Sequence, residues 1–186
     1  MLPTPHNIRT SDHSLQLSPA AVEEMRGQLS AVADRVVAAI VAEVPSYRGA
    51  FSGPMGETIR NAVQLALGGF LTLASRGRTE DLRTPTAPAV EGSYQLGRGE
   101  ARSGRTTDAL LAAFRIGARV SWRELSTTAV RNGLGADTLA DFAELVFAYI
   151  DELSAAAVAG HTDETETTGR VRQRLIERVA QLLLDQ

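Results

Sequence analysis

Arginine is the residue type in this chain best placed to do chemistry. Between Tyr94 and Trp122, in YQLGRGEARSGRTTDALLAAFRIGARVSW, five arginines and the only tryptophan fall on two glycine-punctuated segments. Arg98, Arg102 and Arg105 repeat at helical spacing, as do Arg115, Arg119 and Arg123, so each set forms a stripe along one helix face. The planar guanidinium fork suits carboxylates and phosphates. Like charges so spaced repel, which calls for a compensating anion: an acidic helix of the same fold, a partner, or a small ligand. The candidate anion-binding residues are Arg98, Arg102, Arg115 and Arg119. Trp122 is read first as core, and otherwise as a pocket wall or a stacking surface for arginine.

Other chemistries find little material. Gly97-Arg98-Gly99 opens like a dinucleotide loop, but Arg102 stands where G-x-G-x-x-G needs its third glycine and no strand precedes it. There is no cysteine, which removes disulfides, thiol nucleophiles and cysteine metal sites. There is no lysine either, so neither a Schiff base nor a P-loop lysine is possible. The histidines are His6, His13 and His161, too few for a metal cage or a catalytic triad. His161, in a run of Thr, Asp and Glu, is expected to be solvated; the alternative is a haem ligand in a helical fold. Asp151 and Glu152 are adjacent and point to different sides of a helix, so they form no acid/base pair. The expectation is a protein that is not an enzyme, with no cofactor and no metal.

The 186 residues fit one domain with an extension, and 44% apolar residues suffice for a core. No run of about 18 apolar residues suggests a membrane span, and the N-terminus lacks a secretory pattern, so a cytoplasmic location is expected. Net charge is −3, giving no bulk attraction to nucleic acid, and direct binding to it is not expected. The charge is uneven. Tyr94–Arg131 carries a net +4, whereas Leu134–Thr168 holds eight acids and no base. The preferred reading is that part of the acidic segment faces the arginine rows.

The elements that must position these residues are helices. Ser18-Pro19 opens the first, with Val22, Met25, Leu29, Val32, Val36 and Ile40 as its apolar stripe, and Pro45 ends it. A second runs from Pro54 or Gly56 to Arg76, burying Ile59, Val63, Leu67, Phe70 and Leu71. Gly68-Gly69 within it costs roughly 1 kcal/mol per glycine, which points to close packing or a kink. A loop spans Gly77–Pro88. The third helix covers Ala89–Ser103 and Gly104 stops it. Thr106 or Thr107 caps a fourth, with Leu111, Phe114, Ala118, Trp122 and Leu125 on one face, ending at Asn132-Gly133. A fifth starts near Asp137, presents Leu139, Phe142, Leu145, Val146, Tyr149 and Leu153, and is able to run through Gly160. The last segment is helical again, with Leu175, Val179 and Leu182 at a/d spacing. It ends on apolar residues, which suggests a dimerising helix or the front piece of a longer protein. No strand or repeat is evident.

The motif E-A-R-S-G followed by D-x-L-L-x-A-F-R-I-G-A-R-x-x-W resembles the N-terminal domains of actinobacterial PucR/CdaR-type transcriptional regulators. Those are similar to the N-terminal domain of RsbR stressosome proteins, a helical, globin-like fold without haem. The matching residues are Gly97, Arg98, Glu100, Ala101, Arg102, Gly104, Asp108, Leu110, Leu111, Ala113, Phe114, Arg115, Gly117, Ala118 and Trp122. Val36–Arg48 and the end, from Arg172 to Leu184, also fit, so the resemblance spans roughly residues 20–184. Its middle and helix-turn-helix domains are absent from this sequence, so DNA binding is not carried over. The resemblance implies an all-α, globin-like or bundle domain of five to six helices with a long C-terminal helix. It is expected to be a non-enzymatic sensory input domain, homodimeric, acting on an output domain or partner protein. The division expected is a disordered tail (1–17), a regulatory domain (18–160) and a linker or dimerisation helix (161–186) with Leu175, Val179, Leu182 and Leu183 at its contact. The alternatives are an anion-binding module built on the arginine rows and a haem sensor.

Overall fold

The computed structural model describes residues 17–50, 54–75 and 84–184, and these are helical throughout their ordered elements, without a strand. Helix α1 is Pro19–Glu43, followed by a single 3-10 turn at Pro45–Tyr47; α2 is Pro54–Ser75, α3 Ala87–Arg102, α4 Thr107–Arg131 and α5 Ala136–Leu184. The N-terminal tail, Phe51 and most of the Gly77–Pro88 loop lie outside the described residues.

Local chemistry sets the boundaries. Ser18 Oγ accepts from Ala21 N at 3.2 Å, with Pro19 at the first helical position. Thr106 Oγ1 does the same for Ala109 N at 3.2 Å, which settles the cap in favour of Thr106 over Thr107. Gly104 (φ 74°) and Gly133 (φ 88°) take left-handed conformations just past α3 and α4, where a β-carbon would be strained.

The α1 stripe is buried except for Leu29, which packs at its margin. Helix α1 lies against both α2 and α4, and α3 lies along α5 in the most extensive helix pairing of the bundle. Helix α4 departs from the single face expected of it. Leu110, Ala113, Ile116 and Val120 are buried while Leu111, Phe114 and Trp122 are only half-buried, because α4 is covered by α1 on one side and α5 on the other. In the glycine pair of α2, Gly69 is the close-packed one. A β-carbon there would lie 2.8 Å from the Tyr149 hydroxyl, which donates to the Ala66 carbonyl at 2.9 Å. Burial pushes that phenol up to about 12.

The α3–α5 crossing is closer still. A β-carbon on Gly97 would sit 2.7 Å from the carbonyl carbon of Ala157, and one on Gly160 would sit 2.9 Å from that of Tyr94. Two backbones meet here with nothing between them, an approach that only glycine permits. Helix α5 continues unbroken past this crossing. Its last buried residue is His161, and every residue from 165 to 184 is exposed. Among the described residues no helix is long and apolar enough to cross a membrane.

Candidate functional site

The α3–α5 contact gathers half of the arginine segment. Arg98 Nε donates to Glu164 Oε2 at 2.8 Å, and Arg102 reaches Glu164 Oε1 at 3.0 Å and Oε2 at 3.1 Å. One carboxylate thus closes a fork with two guanidiniums. The hydrogen bond from Arg102, then that from Arg98, holds the Glu164 carboxyl below its ordinary range. One residue earlier, Asp163 accepts from the Tyr94 hydroxyl at 2.8 Å.

Arg105 does not continue this row. The left-handed turn at Gly104 swings it inward, where its Nε lies 2.5 Å from Glu100 Oε2 and its guanidinium 4.9 Å from the centroid of the Tyr47 ring. Glu100 is wholly buried (0% exposed), and Tyr47 donates to the same oxygen at 2.7 Å. Burial, reinforced by the Glu100 charge, pushes the Tyr47 phenol far above its ordinary value, so it stays a donor. The Arg105 carbonyl is met by His161 Nε2 at 2.7 Å, and His161 Nδ1 lies 3.3 Å from Thr107 Oγ1. A carbonyl only accepts, so Nε2 carries hydrogen. The expectation of a solvated His161 is therefore overturned: it is 8% exposed because it pins α5 to the α3–α4 turn.

The second row goes elsewhere. Arg119 pairs with Glu43 and Arg131 with Glu24, both on α1, while Arg35 of α1 pairs with Glu124 at 2.5 Å. The Asn132 amide and Arg131 together hold the Glu24 carboxyl below its ordinary range. Arg115 and Arg123 are exposed and have no ionic partner among the described residues. The expected pairing with the acidic segment thus narrows to Glu164, because α4 packs its arginine edge toward α1. Trp122 stacks on the core, 5.5 Å from the Phe142 ring and 5.9 Å from Phe147. The four candidate arginines therefore fall in three places: Arg98 and Arg102 share Glu164, Arg119 holds α1, and Arg115 faces solvent.

Sequence reasoning missed Glu100, Gly97, Gly160 and a cavity. The cavity, of about 90 Å³, lies inside the bundle between Val36 and Ile40 of α1, Ile59 of α2, Leu110 of α4 and Leu153 of α5. Tyr47 lines it as well, so the ring that holds Glu100 also walls this space.

The described residues form an all-helical bundle with a largely apolar pocket among its helices and one helix that projects beyond the core. The chain belongs to the family of RsbT co-antagonist protein RsbRD N-terminal domains, whose model matches residues 30–176. That span takes in the arginine rows, the Glu100 cluster, the cavity and the start of the projecting part of α5. No curated protein and no solved structure matches the chain.

Proposed function

We propose that this chain is a non-enzymatic sensory input domain of a transcriptional regulator of the PucR type, cytoplasmic, without direct contact to nucleic acid. It acts as a homodimer whose α5 helices carry the signal to an output domain or partner protein. The exposed stripe of α5 carries this reading. Val171, Leu175, Ile176, Val179, Leu182 and Leu183 are each more than half exposed, on a helix whose residues 165–184 are all exposed. Most helical stability in proteins comes from packing of an apolar face. Leu175, Val179 and Leu182 are spaced four and three apart, as a coiled-coil seam requires, with Ile176 and Leu183 widening it. A second copy in parallel register covers this stripe with its own equivalent.

The absence of native cysteine makes the test direct. Val179→Cys, on the seam, is expected to form a disulfide-linked dimer under mild oxidation, and Glu177→Cys, on the outer face, is not. Equal cross-linking at both positions refutes the seam.

The anion-binding alternative has narrower support. A ligand at Arg98 and Arg102 has to displace Glu164, and Arg115 stands alone. The haem alternative has less support among the described residues, where both ring nitrogens of His161 are engaged and the cavity lining includes no imidazole.

A further inference from the structure

We propose that the cavity inside the bundle is a binding site for a small neutral molecule, apolar over most of its surface and carrying one or two hydrogen-bonding groups. Its walls are almost wholly aliphatic and aromatic, which sets the apolar part of the preference. Two hydroxyls interrupt them, Ser93 on α3 and Ser121 on α4. They are 6% and 3% exposed, and neither has a hydrogen-bond partner among the described residues. Other hydroxyls on these helices do find one. Thr128 donates to Gln28 at 3.0 Å, and Ser103 to the Gly99 carbonyl at 2.9 Å. Buried polar groups in folded proteins are satisfied with few exceptions, and an orphaned one is costly. Two orphans lining one cavity define the polar part of the preference.

A charged ligand does not fit. The one ionisable side chain in the lining is Tyr47, and its hydroxyl is committed to Glu100. Size is bounded too. Enclosed apolar cavities of about 150 Å³ hold benzene or xenon; this one, of about 90 Å³, is smaller but open on one side, so a single small ring is the upper limit and a macrocycle is excluded. Half-buried Val63, Phe114 and Ile150 form the side through which such a molecule enters. An occupant touches Ile150 and Leu153 of α5 directly, and Tyr47, the partner of Glu100, from the other side. The site stands on the cavity and its serines alone, and goes beyond the dimeric reading without depending on it.

The test uses the whole chain with labelled Ile, Leu and Val methyl groups, titrated with phenol and with toluene and followed by NMR. Saturable shifts are expected at Val36, Leu110 and Leu153. In the Ser93→Ala/Ser121→Ala double variant, phenol binding is expected to weaken by about tenfold, roughly the worth of two hydrogen bonds, with toluene binding retained. Ala66→Leu fills the space and is expected to abolish both; if that variant does not fold, Ala62→Leu fills it from the more open side. Three results overturn the proposal: no saturable shift with either probe, equal phenol affinity in the double variant, or a crystal structure in which ordered water satisfies both serines and survives a phenol soak. The mass of the protein in solution is unaffected by any of these, so failure here is distinct from failure of the dimer.

Discussion

Replacing Gly97 with alanine tests the helix crossing on which the bundle depends. The added carbon overlaps the Ala157 carbonyl oxygen and sits 2.7 Å from the carbonyl carbon, whereas carbon atoms prefer about 3.5–4.0 Å. The obstacle is backbone, so no side chain can swing aside. Helices α3 and α5 must part by roughly 1 Å along their length, loosening the Arg98–Glu164 and Arg102–Glu164 pairs as they do. Overpacking of a well-filled contact costs about 1–3 kcal/mol, and occasionally more. Alanine returns at most about 1 kcal/mol in helix propensity. A backbone clash belongs at the upper end, so the net loss is about 2 kcal/mol, or a fall in Tm of roughly 4–8 °C for a protein of this size. Gly99, two residues on in the same helix, has nothing within 4 Å of its missing β-carbon. There alanine is expected to stabilise by about 0.5–1 kcal/mol. Thermal unfolding followed by circular dichroism reads both. If the two variants shift in the same direction, the account of the crossing is wrong.

Three further outcomes follow from the same contacts. Glu100→Gln leaves the Arg105 guanidinium buried at 9% exposure without its carboxylate, and is expected to cost about 3–5 kcal/mol by chemical denaturation. Glu164 has a folded value below its ordinary 4.5, so its fork adds stability above that pH. The contribution starts to fall as the unfolded chain begins to take up the proton, and it is gone below the lowered folded value. Urea midpoints measured down through this acid range should therefore drop less steeply for Glu164→Gln than for the parent; equal slopes would discount the fork. In the cavity, phenol is expected to raise the Tm of the parent, through preferential binding to the folded state, and to raise that of Ser93→Ala/Ser121→Ala less at the same concentration.

Much of the frame was legible in the sequence because it is written in local chemistry. Ser18, Thr106, Gly104 and Gly133 act on their own neighbours, and the apolar stripes of α1 and α5 follow a 3.6-residue period. The motif from Gly97 to Trp122 pointed to the RsbR-type family. Pairing of charges was read less well, since it depends on which helices become neighbours. The sign difference between Tyr94–Arg131 and Leu134–Thr168 led to Glu164, yet Arg119 and Arg131 went to α1. Arg105 looked like a third member of a row until a single positive φ turned it inward. Gly97 and Gly160 carried a usable signal: small residues four apart at Ser93 and Gly97 and three apart at Ala157 and Gly160 mark faces that allow close helix approach. Glu100 stood in the matched motif, but nothing in one sequence separates a buried glutamate from a solvated one. The cavity is a property of five packed elements together and has no signature in any one of them.

The central claim is that the stripe of α5 meets its own copy, and the mass of the protein in solution tests it most directly. Light scattering on the eluting peak is expected to give twice the 19.8 kDa of the chain at micromolar concentration, and the single-chain mass for Leu175→Asp/Val179→Asp. A parent protein that elutes with the single-chain mass at about 100-fold higher concentration, far above the dissociation constants of specific dimers, would contradict it.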